Sequence, residues 1–210
     1  MATVLVVGAS RGIGLETVRL ALEAGHEVRA LARSAADIPG DDTRLTRIAA
    51  SALDQGAVGA ALAGADAVLM TLGEANPMRA TRLFSDATRV LIDAMKEKGV
   101  RRLVVVTGLG AGDSRGHGGF LYDFVFFPIV LSRIYADKDV QERMVRNSGL
   151  DWTIVRPGVL TRGRLTRRYK VLIEPREWRS GSISRADVAD FLVGQITDRS
   201  LLGKTPLLVN

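Results

Sequence analysis

Gly8, Gly12 and Gly14 are spaced for one kind of chemistry. They follow a short apolar, β-branched run, Thr3–Val7, and open a stretch in which Ile13, Val18, Ala21 and Leu22 share one helical face. At such a strand-to-helix turn, glycine permits a sharp bend, close approach of the backbone to a pyrophosphate, and tight packing of helix on sheet. The free amides and positive dipole end of the helix then hold the phosphates. Residues 8–14, which include Gly8, Ser10, Arg11, Gly12, Ile13 and Gly14, are therefore the candidate dinucleotide loop. An NAD site places an acid about 20 residues further on, where it accepts hydrogen bonds from ribose hydroxyls. Here the second strand ends at Ala32, Arg33 and Ser34, and the nearest acid is Asp37. Arg33, with Arg11 reaching from the loop, offers two guanidiniums to a 2′-phosphate. The expected cofactor is NADP(H).

Composition narrows the remaining chemistry. The 210 residues are 47% apolar and 25% charged, as in a globular protein. Cysteine is absent and the only histidines are His26 and His117, which removes disulfides, a cysteine nucleophile and Cys- or His-rich metal sites. The first residues lack the basic region of a signal peptide. No window holds 18 uninterrupted apolar residues, so a cytoplasmic protein without a membrane span is expected. The net charge of +6 is concentrated in one run, Arg162, Arg164, Arg167, Arg168, Lys170, Arg176 and Arg179, opposed by Glu174 and Glu177. A solvated loop and a clamp for an anionic substrate or cofactor are both open for this run. Nucleic acid is not expected as a partner, since the run lacks the interleaved aromatics of a stacking surface.

The elements that must position the loop follow from periodicity. Strands are expected at 3–7, 26–32, 47–50, 67–72, 102–106, 152–155 and 206–209, and helices at 12–24, 56–62, 80–98, 137–147 and 187–196. Asp54 is placed to cap the second helix, and glycines close several of the others. This alternation makes βαβ units. The fold class is α/β, a Rossmann-type, doubly wound parallel sheet with helices on both faces, and ligands lie beyond the carboxyl ends of its strands. No linker or repeat interrupts the chain, so one NAD(P)-binding domain over 1–210 is expected.

The sequence resembles the short-chain dehydrogenase/reductase superfamily, in particular its atypical NAD(P)H-binding branch with the biliverdin-IXβ/flavin reductases and NmrA-like proteins. The resemblance rests on the glycine loop, on residues 148–158 (SGLDWTIVRPG) and on residues 183–190 (ISRADVAD). It implies that Leu72 and Gly73 lie under the cofactor ribose. Pro157, Gly158, Val159 and Leu160 would border the nicotinamide through their backbone. Ser51 and Ala52 occupy the place of the family's adenine-contacting acid, and Thr107 that of its serine after the fifth strand. The superfamily's usual pair is a tyrosine and a lysine four residues apart on one helix. Here position 134 is Ile, and Tyr135 stands three residues before Lys138, on nearly the same face. Tyr135 is either a proton donor or a packed tyrosine; Lys138 is either a ribose contact or a solvated lysine.

The substrate region is expected from about 108–135 and 160–182. Residues 108–119 are glycine-rich and suit a mobile lid. The aromatic run Phe120–Phe127 suits a core or oligomer face, a wall for a flat substrate, or a membrane-surface contact. The reading that follows is an NADPH-dependent reductase passing a hydride to a small planar or anionic acceptor that is flavin-, quinone- or carbonyl-like. The protein would be a monomer or homodimer. The alternative is an NADP(H)-binding regulator without turnover. About 50 residues after Leu160 are too few for the substrate domain of a nucleotide-sugar epimerase.

Overall fold

The structure is a computed structural model and describes residues 1–74, 81–114, 116 and 132–210. The chain runs β1 (Thr3–Val7), α1 (Gly12–Glu23), β2 (Glu27–Ala32), β3 (Leu45–Ala49), α2 (Gln55–Leu62), β4 (Ala67–Met70), α3 (Leu83–Lys98), β5 (Arg102–Val106) and α4 (Ser132–Arg146). It continues with β6 (Asp151–Pro157), β7 (Val159–Thr161), β8 (Lys170–Leu172), β9 (Ser182–Ser184), α5 (Arg185–Gly194) and β10 (Leu207–Val209).

Alternate residues of a strand point to opposite faces of the sheet, and each face here is covered. Val4 and Val6 of β1 pack with Val18 and Ala21 of α1 and with Val188 and Leu192 of α5. Leu5 and Val7 pack into the opposite core with Leu62 of α2, Leu91 and Met95 of α3, and Val145 of α4. The sheet order is β3-β2-β1-β4-β5-β6-β10-β8, and β7 pairs with β9 in a separate two-stranded ribbon. Strand order reverses between β1 and β4. The crevice above that reversal is where open α/β sheets bind ligands.

Several boundaries depart from expectation for physical reasons. β4 stops at Met70, two residues short of Leu72. α3 starts at Leu83, where the Thr81 hydroxyl accepts from the Leu83 amide at 3.0 Å and Asp137 accepts from the Phe84 amide at 2.8 Å. The expected start at Ala80 lies outside the described residues. α4 starts at Ser132, well before Asp137, because Ile134 and Tyr135 already find a buried cluster with Phe84 and Ala111. α5 starts at Arg185, with Ser184 as the N-cap accepting from the Asp187 amide at 2.9 Å. Asp54 caps α2 as expected, accepting from the Ala57 amide at 3.0 Å. The strands β7, β8 and β9 were not expected, since three residues each give no readable alternation. β8 is antiparallel to β10, so the sheet is mostly rather than wholly parallel.

Candidate active site

The glycine loop lies between β1 and α1. Gly8 has φ +89° and Gly12 φ +59°, the left-handed region that glycine enters without strain. A Cβ on Gly14 would sit 2.1 Å from the Gly8 carbonyl oxygen and 2.7 Å from Thr71 Oγ1; one on Gly8 would sit 3.0 Å from the Leu72 amide. The turn, the helix and the end of β4 are thus pressed together through bare backbone. α1 differs from α2 and α5 at its start: Arg11, its N-cap residue, makes no side-chain capping hydrogen bond. Amides left uncapped at a helix start are what a phosphate would take. The residues present therefore fit a dinucleotide diphosphate.

Around this loop the Ser34 hydroxyl donates to Ser10 Oγ at 3.0 Å, tying the end of β2 to the turn. Arg11 and Arg33 are exposed, and Ile13 is buried under the turn. Ser51 and Ala52 follow β3; the Ser51 hydroxyl accepts from the Leu53 amide at 3.2 Å, and Ala52 packs on the core beneath. Leu72 packs against the cluster of Phe84, Ala111, Ile134 and Tyr135, so the end of β4 meets the start of α4, and Gly73 beside it is exposed.

At the end of β5, Lys138 donates to the Thr107 carbonyl. Its ammonium lies 5.2 Å from the centre of the Phe84 ring and 5.4 Å from that of Tyr135, a cation–π arrangement. Burial pushes the Lys138 ammonium down to about 8, although the Glu142 carboxylate raises it. Tyr135 is buried, and its hydroxyl reaches the backbone of Gly108: a Cβ there would lie 2.5 Å away. The fold thus brings Thr107, Tyr135 and Lys138 together beyond β5, two strands from the glycine loop, or about 10 Å at the usual strand spacing.

Thr107 carries two different contacts. Its carbonyl receives Lys138, whereas its hydroxyl donates to Glu142 Oε1 at 2.8 Å, inside the protein. Glu142 in turn accepts from Arg156 Nε at 3.0 Å and Nη2 at 2.6 Å, and Arg156 Nη2 also reaches Asp113 at 2.6 Å. Arg156 is fully buried, with its guanidinium 5.1 Å from the centre of the Trp178 ring. Burial works against its charge, but Glu142 and Asp113 outweigh it and raise the pKa. Gly112 completes the packing: a Cβ there would lie 2.7 Å from both Arg156 Nη2 and Glu142 Oε2. Nothing in the local sequence pairs Arg156 with Asp113 or Glu142. The Arg-Pro-Gly triplet that ends β6 was the available signal.

Pro157, Gly158, Val159 and Leu160 cross from β6 into β7. Gly158 has no room for a side chain, since a Cβ would lie 2.3 Å from the Gly181 carbonyl oxygen, and Val159 is exposed. Part of the basic run is anchored on α5. Asp187 accepts from the Thr166 and Arg167 amides at 2.7 and 2.8 Å, and Asp190 accepts from Arg167 and from the Tyr169 hydroxyl at 2.9 Å each. His117, the aromatic run and residues 115 and 117–119 of the expected lid lie outside the described residues, whereas its first part, 108–114, is described and holds a short 3-10 turn at Gly112–Ser114.

Residues 8–199 match the NAD(P)H-binding family. The chain belongs to that family, and its fold is that of the NAD(P)-binding Rossmann proteins. It is 33% identical over 159 residues to an NAD(P)H azoreductase of Xenophilus azovorans, spanning 74% of this chain and 47% of that protein. It is 32% identical over 177 residues to YMR090W of Saccharomyces cerevisiae, spanning 81% of this chain and 73% of that one. Among solved structures it resembles ChuY, an anaerobillin reductase from Escherichia coli O157:H7, with a TM-score of 0.78 and 27% identity over 99% of this chain and 96% of that one. No helix among the described residues is long and apolar enough to cross a membrane.

Proposed function

We propose that the protein is a reductase that takes NADPH in preference to NADH and passes its hydride to a small planar or anionic organic acceptor. The observation that carries this reading is the pairing, across the strand-order reversal, of an uncapped glycine turn with the Thr107–Tyr135–Lys138 group. The reductases among its relatives support it.

In this reading Gly8, Ser10, Gly12 and Ile13 hold the diphosphate, and Arg11 and Arg33 take the 2′-phosphate. Ser51 and Ala52 border the adenine. Leu72 and Gly73 support the ribose, and Pro157 to Leu160 flank the nicotinamide. When bound, the cofactor supplies hydride from C4 of the nicotinamide, and the chain positions it. Lys138 keeps one donor on the Thr107 carbonyl and offers others to the nicotinamide ribose. Tyr135 holds a phenolic proton at Gly108, beside the place of the acceptor. Thr107 contributes through its carbonyl, its hydroxyl proton being given to Glu142. The substrate walls come from 108–135 and 160–182, and the basic run favours an acceptor with negative charge.

The test follows NADPH oxidation by its nicotinamide absorbance against flavins, quinones and small aldehydes, with NADPH binding titrated in the same sample. Turnover with a panel member supports the reductase. Tight binding without turnover throughout favours an NADP(H)-binding regulator, and no binding overturns the cofactor reading.

A further inference from the structure

A second group of cations faces the glycine loop from the opposite side, formed by Arg162, the first residue of the basic run, and Arg185 of α5. α5 packs against α1, and the starts of the two helices lie together, Gly12 beside Arg185. Between their starts lies a cavity of about 340 Å³ lined by Gly12, Leu15 and Glu16 of α1, by Arg162 and Gly163 after β7, and by Arg185 and Ala186 of α5. Arg185 is half-buried, and its Nη1 donates to the Thr161 carbonyl at 2.8 Å. Its stem passes directly beside the loop: a Cβ on Gly12 would lie 3.8 Å from Arg185 Cδ and from Nε. The bond to Thr161 is the one hydrogen bond of this guanidinium among the described residues, and it leaves most of the five N–H donors for another acceptor. Arg162, across the cavity, is exposed. The carboxylate in the lining, Glu16, is paired with Arg19 at 3.1 Å.

We infer that Arg185, assisted by Arg162, closes over the cofactor diphosphate from the α5 side, so that the phosphates lie between the amides of α1 and a guanidinium fork. The inference rests on the cofactor reading above and adds residues to it. A diphosphate suits this place because its charge is delocalised over several oxygens, which a planar guanidinium meets in bidentate fashion. The clamp also has a built-in connection. Arg185 holds the Thr161 carbonyl, so a phosphate drawn onto the same guanidinium fixes the end of β7, whose first residues flank the nicotinamide.

NADPH and NADH share the diphosphate and differ at the 2′-phosphate, which separates this clamp from Arg33. Calorimetric titration of both cofactors against the full chain, Arg185→Gln and Arg162→Gln is the experiment. Arg185→Gln is expected to weaken NADPH and NADH by the same factor, about tenfold or more, as loss of a hydrogen bond to a charged group implies. Arg162→Gln should weaken both by a smaller, equal factor. Should Arg185→Gln fail to fold for want of the Thr161 contact, Arg185→Lys keeps a cation and stem there and should show the equal loss in reduced degree. Folded Arg185 variants that bind both cofactors within about twofold of the parent would overturn the clamp while leaving the cofactor reading intact. So would a loss confined to NADPH, or unchanged cofactor binding with a raised acceptor KM. A parent chain that binds neither cofactor overturns the cofactor reading itself.

Discussion

Arg33 stands where a dinucleotide-binding strand more often ends near an acid, and its exposure leaves the guanidinium free to meet a ligand. Arg33→Asp replaces attraction for the 2′-phosphate with repulsion. NADPH affinity should fall by about 10–100-fold, the loss of a charge-assisted hydrogen bond, while NADH affinity changes little. Fluorescence titration with both cofactors measures this, and equal losses would remove the assignment. Tyr135 is tested by Tyr135→Phe, which keeps the ring under Lys138 and removes the proton. Turnover on a carbonyl acceptor should fall by about 10²-fold or more, the usual worth of a positioned acid; unchanged turnover would leave the residue a packing role. Lys138 gives a pH signature. Burial lowers its pKa from 10.5 to about 8. Between those values the unfolded chain keeps a proton that the folded chain has lost, so stability rises with pH over that interval. Lys138→Met should lack this rise when urea midpoints at pH 7.5 and 10 are compared. NADPH affinity of the parent should move the opposite way, falling above pH 8 as the ribose loses an ammonium donor.

At the scale of elements, the junctions of the site are backbone contacts and buried charge. Gly14→Ala would push a methyl group onto the Gly8 carbonyl and should cost about 1–3 kcal/mol, together with cofactor binding, because α1 must withdraw from the loop. Glu142→Leu leaves the buried Arg156 without its principal partner. That loss should destabilise by about 3–5 kcal/mol in denaturant titrations. These two cases also show what local sequence discloses. The glycine turn was legible because loop, strand and helix are consecutive and each carries its own pattern. The Glu142–Arg156 pair joins a helix to a strand, and no periodicity within either element announces the meeting. The same holds for Arg185 beside Gly12, which depends on α5 lying against α1. Tyr135 and Lys138 were legible as a pair, but their relation to Phe84 and to the Thr107 carbonyl required the fold. β7 and β9 were missed because their pairing is decided by Gly158 and Gly181 packing closely together.

For the whole molecule, charge and chain order set the behaviour. Six net positive charges, with most of the excess in the run ending at Arg179, are expected to draw an anionic dinucleotide toward the protein. NADPH association should therefore slow as salt rises from 0.01 to 0.15 M, where the screening length shortens from about 30 Å to about 8 Å. Stopped-flow rates at the two salts measure this, and a salt-independent rate would show that the basic run does not steer the ligand. Chain order has a further effect through β10. This strand, Leu207–Val209, enters the sheet between β6 and β8 rather than at its rim, and Val209 packs against Gly181, beside the β7–β9 ribbon. During synthesis the growing chain can assemble β1 to β6 with their helices while this slot stays vacant. The cleft then acquires its final shape only once β10 has filled this slot between β6 and β8.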